Sequence, residues 1–384
     1  MKKVSILQHR LLHYRVEFFE QLREILIARD IELNLVHGQS SLAEQVRKDE
    51  GKIVWAHVVK NRYWNVFGKD LCWQPFPASL KNSDLIVLMQ ENRILSNYPH
   101  LLRHFFIPNK RIAYWGHGAN FQSVAPKGLR EKWKSILLKQ VDWWFAYTKA
   151  TVAILRNANY PESRISCLNN AINTNTFRED VEQVSDVLLK KIKSQSGIND
   201  KSLVGLYCGS LYLEKRIDML ISASDLIYDI IPEFQLVVIG NGPDLHIIQD
   251  AIKTRPWIKW VGVKKGKKKA AYYHLAKVIL NPGAVGLHVL DSFVSGKPMI
   301  TTASAMHGPE AVYIENDING FMTTDSIDDY ATTVINLLKD PSKYKEISQN
   351  AIKSSHEYSL ENMAHNFADG IDNCLNKTAI NKND

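Results

Sequence analysis

The sequence predicts an α/β protein built from two Rossmann-like, doubly wound parallel-sheet domains facing across a cleft. Short apolar runs of strand length alternate with amphipathic helical stretches, the rhythm of a parallel sheet covered on both faces. That rhythm breaks once, near the middle, and then restarts. The chain of 384 residues is also too long for one ordinary core and suits two.

In the first half the expected strands are Val4–Gln8, Ile31–His37, Leu85–Gln90, Arg111–Gly116 and Trp143–Thr148. Helical stretches between them include Val16–Ala28 and Leu129–Gln140, while the aromatic, basic run Lys60–Phe76 reads as irregular. The break falls at Asn170–Phe177, and a polar, charged stretch follows to Lys201. Strands are then expected at Leu203–Cys208, Gln235–Gly240, Ile258–Val261, Val278–Asn281 and Pro298–Thr302. Helices at Ile217–Tyr228, Asp244–Lys253, Lys269–Ala276 and Gly286–Ser295 separate them, and Asp328–Asn376 reads as two or three more. The expected division is 1–175, 176–360 and a final helix, 361–384, crossing back to the first domain. Doubly wound sheets bind ligands at the carboxyl ends of their strands, so a shared site is expected in the cleft.

Composition narrows the partners. Val4–Leu7 is too short an apolar run for a signal peptide and reads as a buried strand. No window reaches the ~18 apolar residues of a membrane span. Cys72, Cys167, Cys208 and Cys374 are far apart, without zinc-type spacing, and read as reduced cytosolic thiols. The net charge of +8 favours anionic partners or simply serves solubility. A basic stretch with interleaved Trp133 and Leu137, Lys127–Lys139, is either a helix for an anionic bilayer or an ordinary solvated face. Lys264, Lys265, Lys267, Lys268 and Lys269 form a second cluster, read as a solvated loop. No zinc-finger, RRM or KH signature accompanies them, which argues against nucleic acid.

Three segments of the second half carry chemistry. Asn281–Thr302 reads strand, Gly-rich turn, helix, Gly, strand. Bare amides of Gly283, Ala284, Val285, Gly286 and Leu287 at a helix start make a seat for a diphosphate, and Asp291 offers a carboxylate to ribose hydroxyls. An ordinary turn with an exposed Asp is the alternative. In Tyr207–Asp218 a turn at Gly209 and Ser210 leads to Lys215 and Arg216 at the next helix start. Cations there oppose the helix dipole, so either a bound anion or a plain solvated pair explains them. In Val237–Asp244, Gly240 and Gly242 either let a flat base or ribose lie against the chain or simply make a turn.

In this order and spacing the three segments resemble the C-terminal domain of the GT-B glycosyltransferases, specifically the large retaining family 4 (group 1). The similarity covers nearly the whole chain. The corresponding family pieces are a Gly-Arg or Gly-Ser turn with a Lys-Gly start, a Gly-x-Gly-Pro turn and a Glu-x7-Glu segment. By that resemblance Lys215 is the diphosphate lysine, Asp291 stands at the second glutamate, the ribose ligand, and Gly240 and Gly242 wall the nucleotide pocket. Two departures stand out. Gly283 occupies the first glutamate position, whose carboxylate touches the donor sugar in the family, and Arg216 replaces the glycine after the lysine.

In the first half, His117 leaves a strand in Gly-His-Gly, where the family has a His beside the donor sugar, with Asn120 as a neighbour. After the first strand the chain is similar to members with a Tyr-Arg pair. Arg10, Tyr14 and Arg15 are acceptor-side candidates there, the arginines either holding a phosphate or lying on the surface. Glu91 at the next strand end is a further acceptor candidate, and Tyr147 and Thr148 are cleft-lining candidates.

The resemblance implies a cytoplasmic hexosyltransferase, peripheral on the inner face of the membrane, that uses a nucleotide sugar, chiefly a UDP-sugar. The acceptor would be a saccharide or lipid-linked saccharide of surface polysaccharide. No metal is expected, because Asp-x-Asp is absent and cations can neutralise the leaving diphosphate. A GT-B-fold UDP-sugar epimerase and a non-catalytic sugar-binding protein are the alternatives. An NAD enzyme is disfavoured, since the first strand runs into QHRLLHYR rather than GxGxxG.

Overall fold

The computed structural model describes residues 1–46, 48–106, 110–118 and 138–377. The chain divides into two compact units: Met1–Asn173 with Ser359–Asp384, and Thr174–Tyr358.

The first unit holds strands β1 (Lys2–Arg10), β2 (Ile31–Gly38), β3 (His57–Val58), β4 (Arg62–Val66), β5 (Lys69–Trp73), β6 (Leu85–Met89), β7 (Arg111–Gly116), β8 (Trp143–Ala146) and β9 (Ile165–Cys167). Seven form one parallel sheet in the order β3-β2-β1-β6-β7-β8-β9. Its central strands are buried on both faces, which is why Leu85–Leu88 reads as a continuous apolar run and why the one polar residue within Val4–Leu7, Ser5, is buried and bonded to the Ser83 hydroxyl at 2.7 Å. Helix Val16–Ile27 buries Phe18, Phe19, Leu22 and Leu26, a stripe at helical spacing. Helix Leu360–Asn376 starts at Ser359, whose hydroxyl accepts from the Asn362 amide at 3.1 Å. It buries Phe367, which stacks on Phe145 at 4.1 Å and meets Trp115 edge-on at 5.1 Å.

The second unit holds β10 (Leu203–Cys208), β11 (Phe234–Ile239), β12 (Ile258–Gly262), β13 (Ala276–Leu280), β14 (Met299–Thr302) and β15 (Gly320–Thr323). All six are parallel, in the order β12-β11-β10-β13-β14-β15. Tyr207, Leu236, Val238, Leu280 and Ile300 of the strands pack with Leu220, Ile227 and Val334 of the covering helices. In both sheets the strand order reverses beside the first strand, between β1 and β6 and between β10 and β13. Crevices at the carboxyl ends of such switch points are where open α/β sheets bind ligands.

Several expectations need correction. Lys60–Phe76 is not irregular: β4 and β5 form an antiparallel hairpin with Val66 opposite Lys69. Its two-residue turn has positive φ at Phe67 (49°) and Gly68 (74°), the primed-turn backbone that suits hairpin twist, yet only one of the two residues is a glycine. The polar stretch before Lys201 holds helices Asn175–Glu182 and Asp186–Ser196, the latter capped by Ser185. The predicted helix Gly286–Ser295 shrinks to Val289–Val294. Lys264–Lys269 is only partly a loop, because a helix starts at Gly266. Most of Leu129–Gln140 and of the basic stretch Lys127–Lys139 lies outside the described residues. Among the described residues no helix is long and apolar enough to cross a membrane, and no group of three His, Cys, Asp or Glu could hold a metal ion.

Phe367→Ala removes the ring that joins the returning helix to Phe145 and Trp115. It is expected to destabilise the first unit by about 3–5 kcal/mol, read by denaturant unfolding.

Candidate active site

In the second unit, three loops leave the carboxyl edge around the switch point, after β10, β11 and β13. They are bonded to one another through backbone. Leu211 N–H donates to Asn241 O (3.0 Å), Asp244 N–H to Leu211 O (3.1 Å) and Ala284 N–H to Glu214 O (2.8 Å). This stitching explains the glycines. A Cβ on Gly240 would lie 1.8 Å from Gly209 O, and one on Gly242 2.1 Å from Leu211 O. The predicted role of these two glycines, to bare the chain for a base or ribose, is therefore corrected: their bare faces receive backbone. A Cβ on Gly283 would lie 2.3 Å from Glu214 O, so the loop conformation leaves no room for a glutamate there. Ser210 is exposed, and its carbonyl accepts from the Tyr207 hydroxyl at 2.7 Å.

Lys215 follows β10 in a short turn and is 6% exposed. Its Nζ donates to Ala284 O, and the ring of Tyr212 lies 5.6 Å away. No carboxylate is within ion-pair reach of it among the described residues, and burial alone lowers its pKa to about 8. Arg216 adopts left-handed backbone, φ 55°, which glycine adopts without strain. Its Nη1 donates to Asp325 Oδ1 at 2.5 Å and to Thr302 Oγ1 at 2.8 Å. Asp325, held down to about pKa 2 by Arg216 and Ser304, thus supplies the counter-charge for which a bound anion was the expected explanation.

Asp291 stands in the first turn of Val289–Val294 and is 8% exposed. Lys269 reaches it from helix Gly266–Leu275, Nζ to Oδ2 2.7 Å, with the lysine over the Phe177 ring at 4.6 Å. Burial pushes the Asp291 carboxyl up, and Lys269 pulls it back. Asp291 is accordingly not the exposed residue of the alternative reading. The predicted row of bare amides is also corrected: Ala284 N–H is used by Glu214 O, Val285 N–H by His307 Nδ1 at 3.1 Å and Gly286 N–H by His288 Nδ1 at 3.4 Å. His307 Nε2 lies 2.7 Å from Thr302 O, which fixes a neutral tautomer with the proton on Nε2. Leu287 precedes the helix, and its carbonyl accepts from Leu290 N–H at 3.1 Å.

The first unit carries the other candidates. His117 leaves β7 with its ring 4.2 Å from that of Tyr147, and burial lowers its pKa to about 4, so it is a neutral imidazole near pH 7. Asn120 lies outside the described residues. Neither arginine is the surface residue of the alternative reading. Arg15 is 5% exposed, bonded to Asn170 Oδ1 and Ala171 O, with the rings of Tyr14 and Trp115 each 5.3 Å from its guanidinium carbon. Arg10, at the end of β1, is 6% exposed and pairs with Asp49 at 2.6 Å. Glu91 pairs with Arg93 at 2.7 Å, and Arg93 also donates to Glu44 at 2.8 Å. Glu44 accepts from His9, Arg93 and the Ser41 amide, which together outweigh its burial and hold its carboxyl well below the usual range.

Sequence reasoning missed Lys269, His307, Asp325, Glu44 and Arg93. Only Lys269 left a usable trace: it lies four residues before the buried Tyr273, on the same helical face.

Comparison with known proteins completes the picture. Residues 190–354 match the model of the glycosyl transferases group 1. Over 179 residues the chain is 24% identical to alpha-monoglucosyldiacylglycerol synthase of Acholeplasma laidlawii, covering 45% of this chain and 44% of that relative, less than half its length. It is 22% identical over 320 residues to the putative glycosyltransferase EpsD of Bacillus subtilis (strain 168), covering 74% of this chain and 80% of that one. The structure of Anabaena Alr3699/HepE in complex with UDP matches with a TM-score of 0.68 at 14% identity, covering 97% of this chain and 100% of that chain. The chain therefore has the two-domain GT-B fold, and residues 190–354, in its second unit, are similar to the glycosyl transferases group 1.

Proposed function

We propose that the chain transfers a glycosyl group, with retention in the manner of family 4, from a UDP-sugar to a hydroxyl of a saccharide or lipid-linked saccharide. One observation carries this reading. Lys215 is a buried ammonium with no carboxylate partner among the described residues, at the switch point of a parallel sheet. An unpaired buried cation is unfavourable unless an anion completes it, and a departing diphosphate is such an anion. Asp291 offers the nearby carboxylate for a ribose diol. The UDP in the Anabaena structure and the lipid in the name of the Acholeplasma relative support the donor and acceptor classes. Surface polysaccharide is the proposed destination, and the cytoplasmic side of the membrane, at its anionic surface, the proposed workplace.

Chemically, negative charge grows on the β-phosphate as the glycosidic C–O bond breaks. Lys215 stabilises it by exchanging part of its bond to Ala284 O for the phosphate oxygen. Arg216 contributes a second positive charge, moderated by Asp325. Neutral His117 hydrogen-bonds a hydroxyl of the donor sugar, and Glu91, Arg10 and Tyr14 face the acceptor. Lys215 and Arg216 supply the electrostatics without a metal.

Incubation with a panel of UDP- and GDP-sugars is expected to give slow donor hydrolysis with one UDP-sugar. A panel with no hydrolysis, together with no UDP uptake by calorimetry, rejects the reading. Lys215→Ala is expected to lower turnover by roughly 10²-fold, with UDP affinity and the thermal midpoint measured alongside. The Lys215 ammonium is present below about pH 8 and lost above it. UDP affinity of the native chain should therefore fall as pH rises through about 8, while that of Lys215→Ala stays flat. Gly283→Glu, which restores the family's residue, is expected to destabilise the second unit and lower activity, because the side chain meets the 214–215 backbone. A gain of activity in steady-state assays would overturn this.

A further inference from the structure

The hairpin β4–β5 gathers four exposed large apolar residues of the first unit, Trp64, Val66, Phe67 and Trp73. Opposed residues of an antiparallel pair share a face. The register therefore puts Arg62, Trp64, Val66, Lys69, Leu71 and Trp73 on one face and Tyr63, Asn65, Asp70 and Cys72 on the other. The second face is turned to the protein: Cys72 is buried, and the Tyr63 hydroxyl donates to Gln39 O at 2.7 Å. The first is open. Trp64 is 47% exposed, Val66 41% and Trp73 39%, with Phe67 fully exposed at the turn.

Phe67 is the informative residue. A bulky aromatic at φ 49° sits in backbone that Gly or Asn adopts at lower cost, and it packs on nothing. Folding gains nothing from it there. A surface that presents Phe at the tip, two Trp behind it and cations at both ends has the composition of an interfacial membrane contact.

We infer that this outward face docks on an anionic lipid bilayer. Phe67, Val66 and Leu71 enter the acyl boundary, Trp64 and Trp73 lie at headgroup level, and Arg62 and Lys69 meet lipid phosphates. The hairpin lies along the interface and does not plunge: on the outer edge of β5, Cys72 N–H donates to Arg93 O at 2.8 Å and Cys72 O accepts from Leu95 N–H at 2.7 Å, and ribbon amides and carbonyls without such partners need water or headgroups. Charge selects the bilayer over a second copy of the chain. Two such faces pressed together would oppose Arg62 and Lys69 with their like, whereas the one acid of the hairpin, Asp70, is on the other face, bonded to Asn65. The inference shares with the proposed function only the premise of a membrane workplace, and uses none of its donor chemistry.

The full chain is sedimented with vesicles of phosphatidylcholine and with vesicles of equal parts phosphatidylcholine and phosphatidylglycerol. It should pellet with the anionic vesicles and be released by added salt. Both Trp64→Ser/Phe67→Ser and Arg62→Glu/Lys69→Glu should weaken partition by about tenfold or more while keeping the native circular dichroism. Native protein that stays in the supernatant, or variants that pellet as it does, overturns the inference. So does a concentration-dependent dimer abolished by the same substitutions. UDP calorimetry on the same samples separates this outcome from the fate of the donor reading: vesicle binding without UDP uptake sinks only the latter.

Discussion

A lysine ammonium held out of water without a carboxylate beside it is the constraint on which the second unit turns. Buried charge of this kind is destabilising by itself, and burial has already moved Lys215 to about pKa 8. The fold tolerates it by giving Nζ one backbone acceptor, Ala284 O, and by fixing that acceptor through the Ala284 N–H bond to Glu214 O. The two loops thus hold each other, and the same contacts set the glycine positions. A carboxylate in place of the carbonyl would neutralise the ammonium permanently. A carbonyl leaves its full charge in place, which suits an anion that arrives and departs.

The neighbouring cations show the contrast. Arg216 has Asp325, and Lys269 has Asp291. Each of these pairs is neutral as a unit and shapes the loops around Lys215. Pairing also explains how an arginine can replace glycine at a left-handed position. The backbone strain there is of order 1 kcal/mol, and the bonds to Asp325 and Thr302 offset it. His307, neutral and bonded at both nitrogens, adds no charge and ties the β13 loop to the end of β14.

How much of this was legible in the sequence differs by level. Strand rhythm gave away both parallel sheets, because strands buried on two faces are written as unbroken apolar runs such as Leu85–Leu88. The hairpin Arg62–Trp73 was hidden for the opposite reason. Its open face carries apolar residues in solvent, and its turn has Phe-Gly where Asn-Gly would signal it. At the site, Lys215, Asp291 and the glycines were legible as types at a spacing, but their partners were not. Asp325 is 109 residues from Arg216, and no local pattern announces a contact at that distance. The glycines misled in a specific way. A residue without a side chain marks a close approach, but sequence does not say whether ligand or backbone approaches, and here it is backbone at Gly240, Gly242 and Gly283.

Gly283 stands where the resembling transferases have a glutamate. If Gly283 were an open place in the site, its missing carboxylate would be a loss to be made up elsewhere. Glu214 O, which would lie 2.3 Å from any Cβ at this position, makes it instead a consequence of how the β10 loop is seated. The seat brings Glu214 and Lys215 hard against the β13 loop and puts Ala284 O in reach of Nζ. Glycine at this position and the carboxylate-free setting of the lysine are therefore two results of one backbone contact.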